Sequence, residues 1–468
     1  MLFYQKEFLV FAGTVILFLL LVKNYRAQKV FLLLCSYYFY AYWDWRFLGL
    51  VFTITVVDFT IGQLMKRWKD PGRRKSLVVL SVVMNLSFLG VFKYFNFFVE
   101  SMNHVLGPLG FNLGTLSIVL PVGISFYTFQ SLSYTIDVYR NEIQPCDDIL
   151  DFALCVAFFP QLLSGPIVRA RDFLPQLTEP RKLSWVRASY GLREFVIGLF
   201  KKVFIADRIA MFVDPVFSAP GVYDGLTIWL AALSYTIQIY CDFSGYSDMA
   251  IGTARILGYD FKRNFNLPYL SRSIDEFWRR WHISLSSWLR DYLYISLGGN
   301  RGGKYKTYRN LIVTMLLGGL WHGAAWTFVV WGALHGAALA VTRMFRDTRG
   351  SQGVEEPSRP LSAVLGWICT MAIVIVGWVL FRAKTFGVAA VMLGKMFALC
   401  PGVAWYSPFP VAVIIAFAVV YGLHACGYDK AIDLSGESWY MRTVLLVMIG
   451  LVILFFPSGF HPFIYFQF

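Results

Sequence analysis

Apolar residues run along this chain in long blocks, broken by short basic or glycine-containing segments. Residues 8–22, 47–64, 77–92, 228–240, 361–381, 409–423 and 444–456 each approach the roughly 20 apolar residues that a helix needs to cross a bilayer. Inside hydrocarbon every backbone polar group must be bonded within its own segment, so such blocks read as helices. The pattern predicts an all-α polytopic membrane protein, one transmembrane domain over residues 1–468, with about 11 spanning or re-entrant helices. The first block has no small-residue cleavage site behind it and reads as a retained helix, not a leader.

The breaks give direction. Lys23, Arg26 and Lys29 follow the first block, and residues 66–75 hold six basic residues and one acid. Lys and Arg favour the cytoplasmic face, so both segments belong there and an even number of crossings joins them. Residues 30–65 then hold two helices, with a break at Tyr42-Trp43-Asp44-Trp45-Arg46, an aromatic belt at the outer interface. The charge-poor stretch 99–114 is an outer loop. Pro121-Val122-Gly123-Ile124-Ser125 predicts a broken or re-entrant segment. Phe158-Phe159-Pro160 and Ser164-Gly165-Pro166 interrupt the helix ahead of the basic stretch 169–193.

Residues 262–309 hold ten Lys and Arg and three acids. Within them Trp278, His282, Leu285, Leu289 and Tyr292 recur at three- and four-residue steps, which predicts an amphipathic helix on the cytoplasmic face. Gly298-Gly299-Asn300-Arg301-Gly302-Gly303 ends it. Residues 310–342, softened by Gly318, Gly319, Gly323 and Gly332, cross inward and back as a pair, and 346–360 is a polar cytoplasmic loop.

Composition sharpens this picture. Apolar residues make up 57%, aromatics 18% and charges only 15%, against about 25% charged in soluble chains. A formal charge of +14 would suggest nucleic acid in a soluble protein. Here the basic residues cluster between spans, so no nucleic-acid partner is expected. The seven cysteines form no Cys-x-x-Cys and sit mostly in apolar runs, as free packing residues.

An ionisable side chain at mid-helix costs about 2.5–3.5 kcal/mol on insertion scales, so each one needs a reason. His104, His424 and His461 fall at helix ends or outer loops in this pattern and read as solvated. His322 follows the basic loop by about 12 residues, or about 18 Å of helix, near mid-membrane. Gly318, Gly319 and Gly323 leave room beside it, and Trp321 and Trp326 can wall the space. A neutral imidazole there takes a proton from an attacking hydroxyl, or it is a structural histidine bonded to a neighbouring helix. His282, beside Trp278 and Trp281 and between Arg280 and Arg290, is either a second site group or an interfacial residue. His335 lies about 220° further round a continuous helix and points elsewhere. In Tyr240-Cys241-Asp242-Phe243-Ser244-Gly245-Tyr246-Ser247-Asp248, Asp242 and Asp248 either tune or orient a histidine, or are bonded to helix N-termini or Arg residues. No phosphate loop, Gly-x-Ser-x-Gly elbow or zinc-type histidine pair is present, and no metal is expected.

Phe277-Trp278-Arg279-Arg280-Trp281-His282-Ile283-Ser284-Leu285-Ser286-Ser287-Trp288-Leu289-Arg290-Asp291-Tyr292, followed by Leu320-Trp321-His322-Gly323, resembles the membrane-bound O-acyltransferase family, in its bacterial alginate O-acetylation branch. Pro121–Tyr127, Ile136-Asp137-Val138-Tyr139-Arg140, Ser164-Gly165-Pro166 and the Asp242–Asp248 block match as well. The resemblance covers about residues 30 to 385; beyond that only hydropathy matches. It implies that His322 and His282 are catalytic. It also implies a ring of helices around a thin core, with a cytoplasmic and an extracytoplasmic funnel meeting at His322.

The expected function follows. Acetyl-CoA is the acyl donor substrate, with no bound cofactor, and its anionic end is drawn to the basic face formed by Arg279, Arg280, Trp281 and Arg290. Trp321, Trp326, Asp242, Ser244 and Asp248 line the site. The acetyl group crosses a bacterial inner membrane to an exopolysaccharide of alginate or cellulose type, or to a periplasmic partner acetyltransferase working with other polysaccharide secretion proteins. D-alanyl transfer to teichoic acid is a sibling reading, and a transporter or channel is the reading from another class.

Overall fold

The computed structural model describes residues 1–110, 112–181, 183–348, 360–398, 400–428, 439–456 and 464. Among them every regular element is helical, and the β pairing is one isolated bridge, Tyr223 with Val403. Tyr25–Arg67, Pro71–Leu109, Trp326–Thr348, Leu361–Arg382 and Pro408–Ala425 are long and apolar enough to cross a membrane. Phe386–Ala398 and Trp439–Leu454 are apolar but shorter. The chain is an all-α, multi-pass membrane protein. His461 and most of the predicted loop 346–360 lie outside the described residues.

The described residues fall into two compact units. One comprises Met1–Leu192 and Ala250–Lys262, the other Arg193–Met249 and Arg263–Phe468.

In the first unit the N-terminal block forms the helix Lys6–Leu21. Phe8, Phe11, Val15 and Leu19 are buried, whereas Leu9, Val10, Leu17 and Leu20 are exposed and meet lipid in a bilayer. The break predicted at 42–46 is real: Tyr25–Asp44 and Leu48–Arg67 flank a single turn at Trp45–Phe47, where the Asp44 carboxylate accepts from the Arg46 N–H. Phe159 closes an aromatic cluster, 5.1 Å from Phe11 and 5.4 Å from Phe39 between ring centres. Asp58 is fully buried, and its carboxylate accepts from Ser81 at 2.6 Å, Ser131 at 2.5 Å and Asn85 at 3.0 Å. Those bonds replace the water that a buried carboxylate loses.

Two expectations for this unit are corrected. The outer loop begins later than residue 99, because the helix Phe95–Leu106 continues the preceding span. Pro121-Val122-Gly123 does not break a helix. It leads a stretch without regular secondary structure into Ile124–Tyr139, with Gly123 at φ 78°. Glycine suits that left-handed position, and a Cβ there would also press on the carbonyl oxygens of Leu162 and Leu163.

In the second unit the central feature is a hairpin of Lys304–His322 and Trp326–Thr348. Their backbones meet directly. A Cβ on Gly332 would overlap the Met315 carbonyl, one on Gly319 would overlap the Phe328 carbonyl, and one on Gly336 would stand 2.9 Å from Ile312 Cα. Small residues let helices approach until dispersion between backbones holds them, which matters where lipid removes the hydrophobic drive. Gly332→Ala is expected to destabilise the protein by about 1–3 kcal/mol through overpacking. The check is a fall in the thermal midpoint of the detergent-solubilised protein, with no such fall for Gly394→Ala, where the space is open.

Candidate active site

Residues 262–309 do not form one amphipathic helix. They form Ile274–Arg280, then Ile283–Trp288, and a wider π turn, Leu289–Tyr294. His282 stands at the break with φ 42° and ψ 55°. A non-glycine residue is uncommon in this region, and histidine is among the types enriched there. Three-residue periodicity cannot show such a kink, because the apolar steps continue across it.

Asn264 holds the kink. Its carbonyl oxygen Oδ1 accepts from Ser284 N at 3.1 Å and Ser284 Oγ at 2.9 Å, and stands 3.2 Å from His282 Nδ1. Its backbone carbonyl accepts from Ile283 N at 2.9 Å. Its amide Nδ2 donates to Ser247 Oγ at 3.1 Å. Because Oδ1 only accepts, this contact assigns the hydrogen of a neutral His282 to Nδ1. The ring is fully buried, with Phe243 edge-on at 4.6 Å.

His322 is the last residue of its helix and not a mid-helix group. The next residue, Gly323, is extended, and a Cβ there would overlap the Phe328 ring. Glycines 318, 319 and 323 therefore make room for protein neighbours: the Leu289 side chain, the partner helix and Phe328. The His322 ring is buried among Trp321 at 5.0 Å, Trp331 at 5.1 Å, Phe381 at 5.4 Å and His282 at 6.5 Å. Two imidazoles 40 residues apart in sequence thus share one aromatic chamber.

Close to this chamber lies a cavity of about 340 Å³. Arg279, Arg290, Arg343 and Arg346 line it with one acid, Asp275, and Trp278 forms part of its wall. Arg279 and Arg346 both reach Asp275, at 3.1 and 3.4 Å. Arg290 also pairs with Asp291 at 2.7 Å and Arg343 with Asp347 at 3.0 Å, so four guanidinium groups meet three carboxylates and the wall keeps a net positive charge that suits an anionic ligand.

The predicted site residues divide. His322, His282 and Trp321 come together, and Arg279 and Arg290 line the cavity. Arg280 is not on that wall; it pairs with Glu276 at 2.8 Å. Trp281 is core, packed on Trp378 at 4.8 Å and Phe265 at 5.0 Å. Trp326 opens the helix Trp326–Thr348 and is 54% exposed. Asp242 and Asp248 pair with lysines. Lys202 reaches Asp242 at 2.5 Å and Asp207 at 2.8 Å, and Lys201 reaches Asp248 at 2.7 Å. Ser244 is buried on the same helix, Gly225–Ile256. Sequence reasoning missed Arg343 and Arg346, and also Lys201-Lys202. Two lysines inside the apolar run Ile197-Gly198-Leu199-Phe200…Val203-Phe204-Ile205 were a readable sign of buried acidic partners.

His335 was expected to point away. That expectation assumed a continuous helix, but the chain reverses at 323–325, and His335 lies 4.8 Å from Trp331 in the same aromatic cluster.

Residues 37–376 match the membrane-bound O-acyltransferase family. A "Probable alginate O-acetylase" of Azotobacter vinelandii is 41% identical, over 98% of this chain and 100% of its own length. A protein of the same description from Pseudomonas aeruginosa is 46% identical over 83% of this chain and 75% of its own. A "Peptidoglycan O-acetyltransferase" of Helicobacter pylori is 38% identical over 81% and 75%. The two-histidine chamber, the helix hairpin that carries it and these matches agree: this chain is an O-acyltransferase and belongs to the membrane-bound O-acyltransferase family.

Proposed function

We propose that the protein transfers acetyl from cytoplasmic acetyl-CoA, across the bacterial inner membrane, to hydroxyl groups of an exported polysaccharide, directly or through a periplasmic partner acetyltransferase. The observation that carries this reading is the pairing of His322 with an arginine-lined cavity. One supplies a base in a dry chamber, and the other suits a polyanionic donor. The relatives' names supply the acceptor class, since alginate and peptidoglycan both present sugar hydroxyls.

The reaction proceeds by attack of an acceptor hydroxyl oxygen on the thioester carbonyl carbon. His322 takes the hydroxyl proton as the C–O bond forms. The C–S bond then breaks, and the same proton passes from His322 to the departing thiolate. One acetyl group leaves the cytoplasmic side and one hydrogen returns to it, so no net charge crosses. A cytoplasmic and an extracytoplasmic funnel meeting at His322, as the family resemblance implies, would give each substrate its own approach. His282, with Nδ1 tied to Asn264, presents its other nitrogen within the chamber and orients or assists the proton transfer.

The experiment is direct. Purified protein in nanodiscs is given acetyl-CoA and an acceptor oligosaccharide, with and without the periplasmic fraction, and free thiol is followed. Release of CoA with O-acetyl ester formation is the expected result. Turnover only with a D-alanyl donor would favour the teichoic acid reading, and no turnover with any donor would favour a transporter.

The arginine cavity makes its own prediction. Arg343→Glu together with Arg346→Glu is expected to raise KM for acetyl-CoA about tenfold, with a smaller effect at high salt, because screening shortens the reach of exposed charges. Initial rates at low and high ionic strength check it.

A further inference from the structure

We propose that His335 and the indole N–H of Trp331 form a polar subsite, across the Trp331 ring from His322, that hydrogen-bonds an amide group of the donor's thioester arm. The proposal rests on the reading of His322 as the reaction centre and of a pantetheine thioester as the donor.

His335 is 0% exposed. Its ring lies 4.8 Å from Trp331 and 5.4 Å from Trp278, and stacks on Phe277 at 6.3 Å. Among the described residues, neither imidazole nitrogen of His335 has a hydrogen-bond partner, nor has Nε1 of Trp331. An unbonded buried polar atom forfeits the full cost of its lost hydration. Phenylalanine at both positions would fill an aromatic cluster without that cost, so three such atoms in one place call for an occupant.

The polar atoms also converge. A Cβ built on Gly377 would stand 2.9 Å from His335 Nε2 and 3.4 Å from Trp331 Nε1. Both ring edges therefore face the same strip of the Pro360–Arg382 helix, where glycine leaves no side chain.

The position of this pair identifies the ligand. On one side Trp278 touches both rings, at 5.7 Å from Trp331, and forms part of the arginine-lined cavity. On the other side Trp331 lies edge-on to His322 at 5.1 Å. A thioester arm that enters from the cavity past Trp278 toward His322 would meet these two rings. A pantetheine arm carries amides, and each amide loses its water in an aromatic chamber. An indole N–H can donate to the amide carbonyl, and a neutral imidazole can accept from the amide N–H through one nitrogen and donate through the other. The Trp331 ring stands between the two imidazoles, so His335 binds the arm and does not reach the reacting carbonyl.

The test compares two donors on the full chain in nanodiscs: acetyl-CoA, and S-butyl thioacetate, which carries the same acetyl group without amides. His335→Phe keeps an aromatic shape and removes the hydrogen bonds. Gly377→Ala keeps His335 and places a methyl group in the cradle. Each is expected to lower the kcat/KM preference for acetyl-CoA over S-butyl thioacetate about tenfold, mainly through KM for acetyl-CoA, with His335→Gln recovering part of it. An unchanged preference overturns the proposal, whether the variants stay fully active or lose both donors equally through misfolding. His322→Ala separates the two readings: activity retained there removes the reaction centre itself, whatever His335 does.

Discussion

Alanine in place of His322 lowers turnover with acetyl-CoA by about a hundredfold to ten-thousandfold, the range that a positioned general base contributes. The size follows from the surroundings. Trp321, Trp331 and Phe381 enclose the ring and leave little room for bulk water to replace it as a base. His322→Gln keeps the approximate shape and some hydrogen bonding but cannot carry the proton, so it falls almost as far. The measurement is CoA release by purified variants, with monodisperse elution in size-exclusion chromatography as the folding control. Wild-type turnover by a well-folded His322→Ala variant would remove this residue from the chemistry.

Lys202→Met is expected to be the most damaging substitution for folding in the second unit. The lysine side chain is 1% exposed and lies between Asp207 at 2.8 Å and Asp242 at 2.5 Å, themselves 7% and 2% exposed. Removing the cation leaves two buried carboxylates without their shared counter-charge, a loss of about 3–5 kcal/mol for a broken buried pair. The triple variant Lys202→Met, Asp207→Asn, Asp242→Asn removes all three charges together and recovers much of that stability. Thermal unfolding of the solubilised protein, read by intrinsic tryptophan fluorescence, distinguishes the two. If the single and triple variants melt alike, the cost does not come from uncompensated charge. The same logic gives the aspartates of the Asp242–Asp248 block a structural reason to be present. Each neutralises a lysine carried by the turn Phe200–Ala206.

What the chain determined by itself was local. Hydropathy blocks long enough for a bilayer gave the helical, multi-pass architecture, because a segment in lipid must satisfy its own backbone. The aromatic break at 42–46, the paired helices around residues 310–342 and the glycines between them were all readable, since each depends on neighbours a few residues away. The Trp-His-Gly block located His322, although the residues alone left it open between base and structural group.

Tertiary structure decided the rest. The kink at His282 is held by Asn264, 18 residues earlier, and leaves no mark on the apolar periodicity that predicted a straight helix. Arg343 and Arg346 join Arg279 and Arg290 around one cavity because the helix that carries them folds back beside the first pair. His335 returns to the chamber because the chain reverses at 323–325, which invalidates any angle counted along a single helix. In each case the deciding contact joins residues far apart in sequence. Periodicity reports which face of a helix is apolar, but packing chooses which faces meet.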